Sequence, residues 1–327
     1  MRRLALLQEL QPLSVSSPEF TLPSFAKINW SLRVLGKRPD GYHEVSTVLQ
    51  TVSLHDDLHF VASDQARVTL NCDYPAVPTD ETNLIVRAAR LLIHRYQVSI
   101  GAIIHLDKRI PPRGGLGGAS SNAAVTLLGL AQLWQLDLSL FELVTIASEL
   151  GADVPFFLLG GRVLGTGIGT TLTQVSDGAQ LSLITVTPNA SVSTPDAYAA
   201  LKASALTTPN SAPILTNSRA EPFSSESDQW PLHNDFEKVI FEIEPEIKRV
   251  QKALLDAGAR GVLLAGSGSS VFGIFDSPEA QGRALAEMQT EVGWRTFPCN
   301  TLSRSEYLRA MGACGAPLAN VRFDSGA

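Results

Sequence analysis

Apolar and polar residues alternate from Phe25 to Val34, with Ala26, Ile28, Trp30, Leu32 and Val34 on one side and Lys27, Asn29, Ser31 and Arg33 on the other. This period of two predicts a half-buried strand, and it places Lys27 and Asn29 on one face. Arg38-Pro39-Asp40-Gly41 reads as a turn, and a second strand-like run from Val45 to Leu54 follows. Together they predict a hairpin or a neighbouring pair, with Gly41-Tyr42-His43 at the connection. His55, Asp57 and His59 also alternate, as a metal cluster would require, but Asp56-Asp57 reads better as a turn between strands.

The period then changes. Asn83 to Tyr96 predicts a helix with Asn83 as N-cap and Leu84, Ala88, Leu91 and Leu92 on its inner stripe. Val98 to Leu106 predicts a strand, which Asp107-Lys108-Arg109 joins to the Gly-rich stretch Pro111 to Ala124. Ala124, Leu127, Leu128, Ala131 and Trp134 follow at helical spacing and predict an amphipathic helix. Ser139 and Glu142 form an S-x-x-E capping box for a further helix that stops at Gly151. Asp153 comes next, just before Pro155. An acid there is either the N-cap of a short Pro-initiated helix or a working group.

In the second half, Leu181 to Thr187 reads as a strand and Ser193-Thr194-Pro195 as a helix start. Residues 205 to about 230 are rich in Ser, Thr, Pro and Asn, without periodicity, and predict a long mobile surface loop. Helices are expected at Asp235 to Ile243 and Pro245 to Ala257. Strands are expected at Val262 to Leu264, Val271 to Phe275 and Trp294 to Phe297, with a helix after Ser277-Pro278. This order matches a split β-α-β arrangement of the ferredoxin-like kind. Gly266, Ser267 and Gly268 lie in a tight turn, and the cluster of small residues there implies close approach to a ligand or to the first Gly-rich loop.

Composition narrows the function. The 327 residues suggest two domains, and a formal net charge of −6 argues against a general nucleic-acid or anionic-membrane binder. The three cysteines are widely spaced and fit a reducing compartment, so the cytoplasm is the expected location. Residues 1 to about 20 read as a loosely ordered extension, and no segment is long enough to span a membrane.

The Gly-rich stretch carries the clearest chemistry. Gly114, Gly115, Gly117 and Gly118 allow positive φ and close backbone approach, and Ser120, Ser121 and Asn122 add donors where a helix begins, which suits a phosphate chain. The spacing is neither that of a P-loop nor that of a dinucleotide fingerprint.

Three motifs in order, Ala26-Lys27-Ile28-Asn29, Pro111 to Ala124 and Leu264 to Val271, make the chain resemble the GHMP family of small-molecule kinases. Arg38 to His43, Asn83 to Ala88, Lys108 to Pro111 and Gly151 to Phe156 make it most similar to members that act on a cytidine diphosphate-linked methylerythritol. The resemblance covers about residues 22 to 300. It implies an α+β fold, with a ribosomal-protein-S5-domain-2-like ATP-binding domain over 21–178 and a ferredoxin-like domain over 179–327. It also implies a phosphotransferase using ATP and Mg²⁺, with Lys27 and Asp153 as catalytic pair. Lys108, Pro111, Gly114, Gly115, Leu116, Gly117, Gly118, Ala119, Ser120, Ser121 and Asn122 would hold ATP, with Ser121 a candidate Mg²⁺ ligand. Asn29, Tyr42, His43, Asp153, Tyr198, Gly266, Ser267 and Gly268 would hold the acceptor. No nucleic acid or membrane partner is implied, and monomer and homodimer both remain open. Two rivals stay in view: a family member acting on a simpler alcohol such as mevalonate or homoserine, and a non-catalytic binding protein that keeps the fold.

Overall fold

The computed structural model describes residues 19–203 and 231–319. The expected loop at 205–230 and most of the expected N-terminal extension lie outside the described residues.

A long antiparallel hairpin forms the centre, β1 (Glu19–Lys37) and β2 (His43–Ser63), paired from Glu19 opposite Val61 to Lys37 opposite His43 with register shifts at Phe25/Ala26, Asn29/Ser31 and Val34/Gly36. The turn between them is the expected one: Gly41 has φ +89° and its N–H donates to the Arg38 carbonyl at 3.0 Å. Around this hairpin come β3 (Val68–Cys72), α1 (Leu84–Tyr96), β4 (Gly101–Asp107), α2 (Gly118–Leu133), α3 (Leu140–Leu150), α4 (Phe156–Leu159), β5 (Arg162–Thr166) and β6 (Thr171–Gln174). The order β3-β4-β2-β1 is extended by β5 on β2 and by β6 on β5.

Caps fall where the sequence places them. The Asn83 side chain accepts from the Ile85 N–H, and Ser139 and Glu142 make both bonds of the capping box. Three expectations change. First, β2 continues through Asp56 and Asp57 with no turn, because Leu54, Asp56, Leu58 and Phe60 form its inward row and His55, Asp57 and His59 its outward one. Second, β1 is covered on both faces, so Lys27 and Asn29 are each only 4 % exposed. Third, α2 is enclosed rather than amphipathic, since every residue from Ser121 to Ala131 is buried. Small residues make that enclosure possible. A Cβ on Gly129 would lie 2.4 Å from the buried Phe60 ring.

The second half supplies β7 (Ser182–Thr187), α5 (Thr194–Leu201), the short β8 (His233–Asn234), α6 (Glu237–Ile243), α7 (Pro245–Asp256), β9 (Gly261–Leu264), β10 (Val271–Phe275), α8 (Pro278–Met288) and β11 (Arg295–Asn300). Its sheet runs β11-β7-β10-β9, all antiparallel, which is the ferredoxin-like order. Ala26, Ile28 and Trp30 of β1 share one apolar cluster with Leu263, Phe272 and Ile274, so the two sheets close on each other. β8 adds to the edge of β1 in parallel.

The chain then returns to the first core through α9 (Arg304–Met311) and α10 (Ala316–Ala319). Tyr307 of α9 is fully buried and donates its hydroxyl proton to the Phe157 carbonyl, while Arg304 donates to that of Leu159. α9 therefore braces α4.

Gly129→Ala forces a methyl into the Phe60 ring. It should lower stability by about 1–3 kcal/mol despite the better helix propensity of Ala. Phe60→Leu in the same chain should recover part of that loss, as judged by the denaturation midpoint.

Candidate active site

Lys27 projects from β1 into the space between two glycine loops. Its Nζ donates to Asn29 Oδ1 at 2.7 Å and lies 3.9 Å from Asp153 Oδ2. Asn29 is oriented in turn, because its Nδ2 donates to Thr47 Oγ1 at 2.8 Å and Thr47 donates to the Ser31 carbonyl at 2.8 Å. Burial pushes the Lys27 ammonium below the usual lysine value, and the Asp153 carboxylate opposes that shift.

Asp153 sits in the turn between α3 and α4, and its side chain is 47 % exposed. It does not cap α4, whose N-cap position is Pro155. Of the two readings open in the sequence, the cap is not what the structure shows; Asp153 is a half-open carboxylate beside a buried ammonium.

The first glycine loop is anchored to β1 by the Lys27 N–H, which donates to the Leu116 carbonyl at 3.0 Å. It leads into α2 through Gly117, which has φ +72° and provides no side-chain cap. The first N–H groups of this 16-residue helix therefore point outward without a capping side chain, which suits an anion. The second loop closes on the first. A Cβ on Gly115 would stand 2.1 Å from the Ala265 carbonyl oxygen, and Ser270 N–H donates to the Gly114 carbonyl at 3.1 Å. Gly266 lies against Lys27, where a Cβ would be 3.4 Å from Nζ. The small residues at 265–270 thus serve the close approach of loop to loop. Asn234 of β8 holds the second loop by donating to the Leu264 and Gly266 carbonyls at 2.9 and 2.7 Å.

Two adjoining cavities share Asp153, Ile168, Thr194 and Tyr198 as common lining. The smaller, about 190 Å³, is lined by Lys27, Asn29, Gly115, Gly117, Gly266 and Ser267. The larger, about 870 Å³, is lined by Tyr42, His43, Ser120, Thr194 and Tyr198. The His43 and Tyr198 rings stack with centroids 4.5 Å apart, Tyr198 meets Phe236 edge-on, and Tyr42 stands 62 % exposed at the rim. Burial, with a smaller contribution from Lys37, lowers the His43 pKa, so the imidazole is neutral at pH 7. Thr194 and Ser267 hydroxyls meet at 2.9 Å where the cavities join.

Several expected site residues play another part. The Lys108 ammonium is turned away from both cavities, onto Asp56 Oδ2 at 2.7 Å and the Ile110 carbonyl at 2.6 Å. Asn122 is buried and donates to Ser24 Oγ and Asp56 Oδ2, each at 2.9 Å. Ser121 is fully buried with its Oγ accepting from Ser24 at 2.8 Å, so it is not placed to reach a metal in the cavities, whereas Ser120 lines the larger one. Pro111 and Leu116 are buried beneath the loop and Ala119 is exposed. Gly268 packs toward Leu264 and Ile240. No group of three His, Cys, Asp or Glu among the described residues could hold a metal unaided. Mg²⁺ at a phosphoryl-transfer site takes most of its ligands from phosphates and water, and Ser120 fits that sparse demand.

Sequence reasoning missed Asp56, Thr47 and Asn234. Asp56 had a signal: it interrupts the apolar row Leu54, Leu58, Phe60 at an inward position. Thr47 and Asn234 had none, since their partners are backbone and side-chain groups brought together only by the fold.

Residues 83–161 match the GHMP kinases N terminal domain, and residues 219–293 match the GHMP kinases C terminal domain. A protein of Citrifermentans bemidjiense named 4-diphosphocytidyl-2-C-methyl-D-erythritol kinase is 40 % identical over 278 residues, which cover 85 % of this chain and 97 % of that protein. A solved structure of 4-(cytidine 5'-diphospho)-2C-methyl-D-erythritol kinase aligns with a TM-score of 0.70 at 32 % identity, over 86 % of this chain and 99 % of that one. Homoserine kinase from Cytophaga hutchinsonii shares the fold, with a TM-score of 0.62 at 22 % identity over 90 % of this chain and 98 % of the other. With a relative 40 % identical over 85 % of this chain and 97 % of its own length, and with both GHMP domains matched, the chain belongs to the 4-diphosphocytidyl-2-C-methyl-D-erythritol kinase family of GHMP kinases.

Proposed function

We propose that this chain transfers the γ-phosphoryl group of ATP to the 2-hydroxyl of 4-diphosphocytidyl-2-C-methyl-D-erythritol, a step in the making of isoprenoid precursors. One observation carries the reading: Asp153 lines both cavities, the one walled by the glycine loops and the one walled by aromatic rings. A group that takes a proton from an acceptor and faces a phosphate must stand at such a junction.

The cytidine end would occupy the larger cavity. Tyr42 and Tyr198 offer faces for the base, and neutral His43 has one N–H donor and one ring acceptor for its edge. The triphosphate would lie along the first loop, against the uncapped N–H groups at the start of α2. When bound, Mg²⁺ would neutralise phosphate charge, with Ser120 as the fitting protein oxygen.

Phosphoryl transfer passes through a loose transition state, so positioning and charge stabilisation are what the protein contributes. Asp153 accepts the hydroxyl proton as the acceptor oxygen bonds to phosphorus and the bond from phosphorus to the ADP oxygen breaks. Lys27 faces Asp153 across 3.9 Å and offsets charge on the moving group. Asn29 and Thr47 keep the ammonium aimed. The cytoplasm, which supplies ATP and keeps thiols such as Cys72, Cys299 and Cys314 reduced, is the compartment proposed.

Asp153→Asn keeps the shape of the side chain and removes the base, so kcat should fall by on the order of 10²–10⁴-fold, while KM for both substrates stays within about twofold. Steady-state kinetics decide this, and a rise in KM with kcat intact would contradict the role. Tyr198→Ala should raise KM for the cytidyl substrate by about 5- to 150-fold, equivalent to ~1–3 kcal/mol for one stacked base, with KM for ATP unchanged. Tyr198→Phe should restore it.

A further inference from the structure

A carboxylate removed from water is tolerated where donors occupy its acceptor sites. Asp56 is fully buried, and both its oxygens are in use. Oδ1 accepts the backbone N–H groups of Arg109 at 2.8 Å and Ile110 at 2.7 Å. Oδ2 accepts Lys108 Nζ at 2.7 Å and Asn122 Nδ2 at 2.9 Å.

These donors come from the two ends of a single loop. Residues 108–110 leave β4, and Asn122 lies near the start of α2; between them run the glycines and the helix N-terminus. One side chain on β2 therefore ties the entrance and the exit of the Gly-rich loop to the same point of the sheet. The tie extends through Ser24 of β1, which accepts from Asn122 and donates to Ser121. Asp56 itself lines neither cavity at the active site.

We infer that Asp56 is a positioning residue for ATP: by clamping both ends of the loop it sets where the glycine backbone and the first N–H groups of α2 meet the phosphates. It touches no substrate and acts through Lys108, Arg109, Ile110 and Asn122. The same network explains why Lys108 is turned inward: its ammonium serves the clamp. This inference rests on the proposed reading of the loop as the ATP cradle. It separates from a general structural role because the acceptor's aromatic wall, His43 and Tyr198, makes no bond to the clamp.

The test is calorimetric titration of ATP into the wild type, Asp56→Asn and the exchange variant D56N/N122D, with KM measured for both substrates. Asp56→Asn removes the charge and turns an amide donor toward the Lys108 and Asn122 donors. ATP affinity should fall by about tenfold or more, as the loss of charge-assisted bonds implies, while KM for the cytidyl substrate stays within about twofold. The exchange variant places an amide on β2 facing a carboxylate on α2 and leaves the amide oxygen for the Arg109 and Ile110 N–H groups, so it should recover most of the affinity. Should Asp56→Asn fail to fold, the exchange variant and Asn122→Ala, which cuts only the α2 tie, carry the same comparison. A folded Asp56→Asn protein with unaltered ATP affinity overturns the inference, as does an equal weakening for both substrates. A wild type that binds ATP but leaves the cytidyl acceptor unphosphorylated overturns the proposed function, while the ATP titration still decides the role of Asp56. A wild type that does not bind ATP overturns both.

Discussion

A lysine ammonium buried to 4 % exposure is the constraint around which this protein is built. Such a charge is costly unless it is paired and hydrogen-bonded. Asn29 and Asp153 meet that need, from β1 itself and from the turn after α3. The cost also dictates what surrounds Lys27. The two glycine loops close over it so tightly that a Cβ at Gly117 would lie 3.0 Å from its Cγ and one at Gly266 3.4 Å from its Nζ. The glycines enclose the cation, and in the proposed function they also present backbone donors to the phosphates.

Distant parts of the chain converge on that point. β8 arrives from beyond residue 230 to hold the second loop through Asn234. α9 returns from the C-terminus to hold the carbonyls of Phe157 and Leu159, just behind Asp153. The two halves share an apolar cluster through Ala26, Ile28 and Trp30, on the face of β1 opposite the lysine. β1 is therefore both the seam between the sheets and the carrier of the buried cation. That double duty explains why Lys27 and Asn29 on its polar face are buried like the apolar residues opposite them.

Local patterns made much of this legible. The hairpin turn at Gly41, the Asn83 cap, the Ser139–Glu142 box and the ferredoxin-like order of the second sheet all depend on neighbours in sequence or on period. The density of small residues at the second glycine turn pointed to close approach by a ligand or by the first loop, and the fold brings the loop there. What escaped depends on long-range pairing. Asp56-Asp57 has the composition of a turn, yet Asp56 is drawn inward by donors 52 to 66 residues away. Lys108 and Ser121 read as ligands because they flank a phosphate-like loop, and only the fold shows that Asp56 and Ser24 already engage them. The helix after the loop looked amphipathic from five apolar positions, but Gly129 lets Phe60 cover its other side.

In the proposed function the lysine–aspartate junction serves a cytidyl acceptor and ATP together. The most direct measurement is the mass of the products when the wild type is given ATP and Mg²⁺ with an equimolar mixture of 4-diphosphocytidyl-2-C-methyl-D-erythritol, mevalonate and homoserine. The account predicts one added phosphoryl group on the cytidyl compound alone, with ADP formed in equal amount. Phosphorylation of mevalonate or homoserine instead, or ADP release with no acceptor modified, would contradict it.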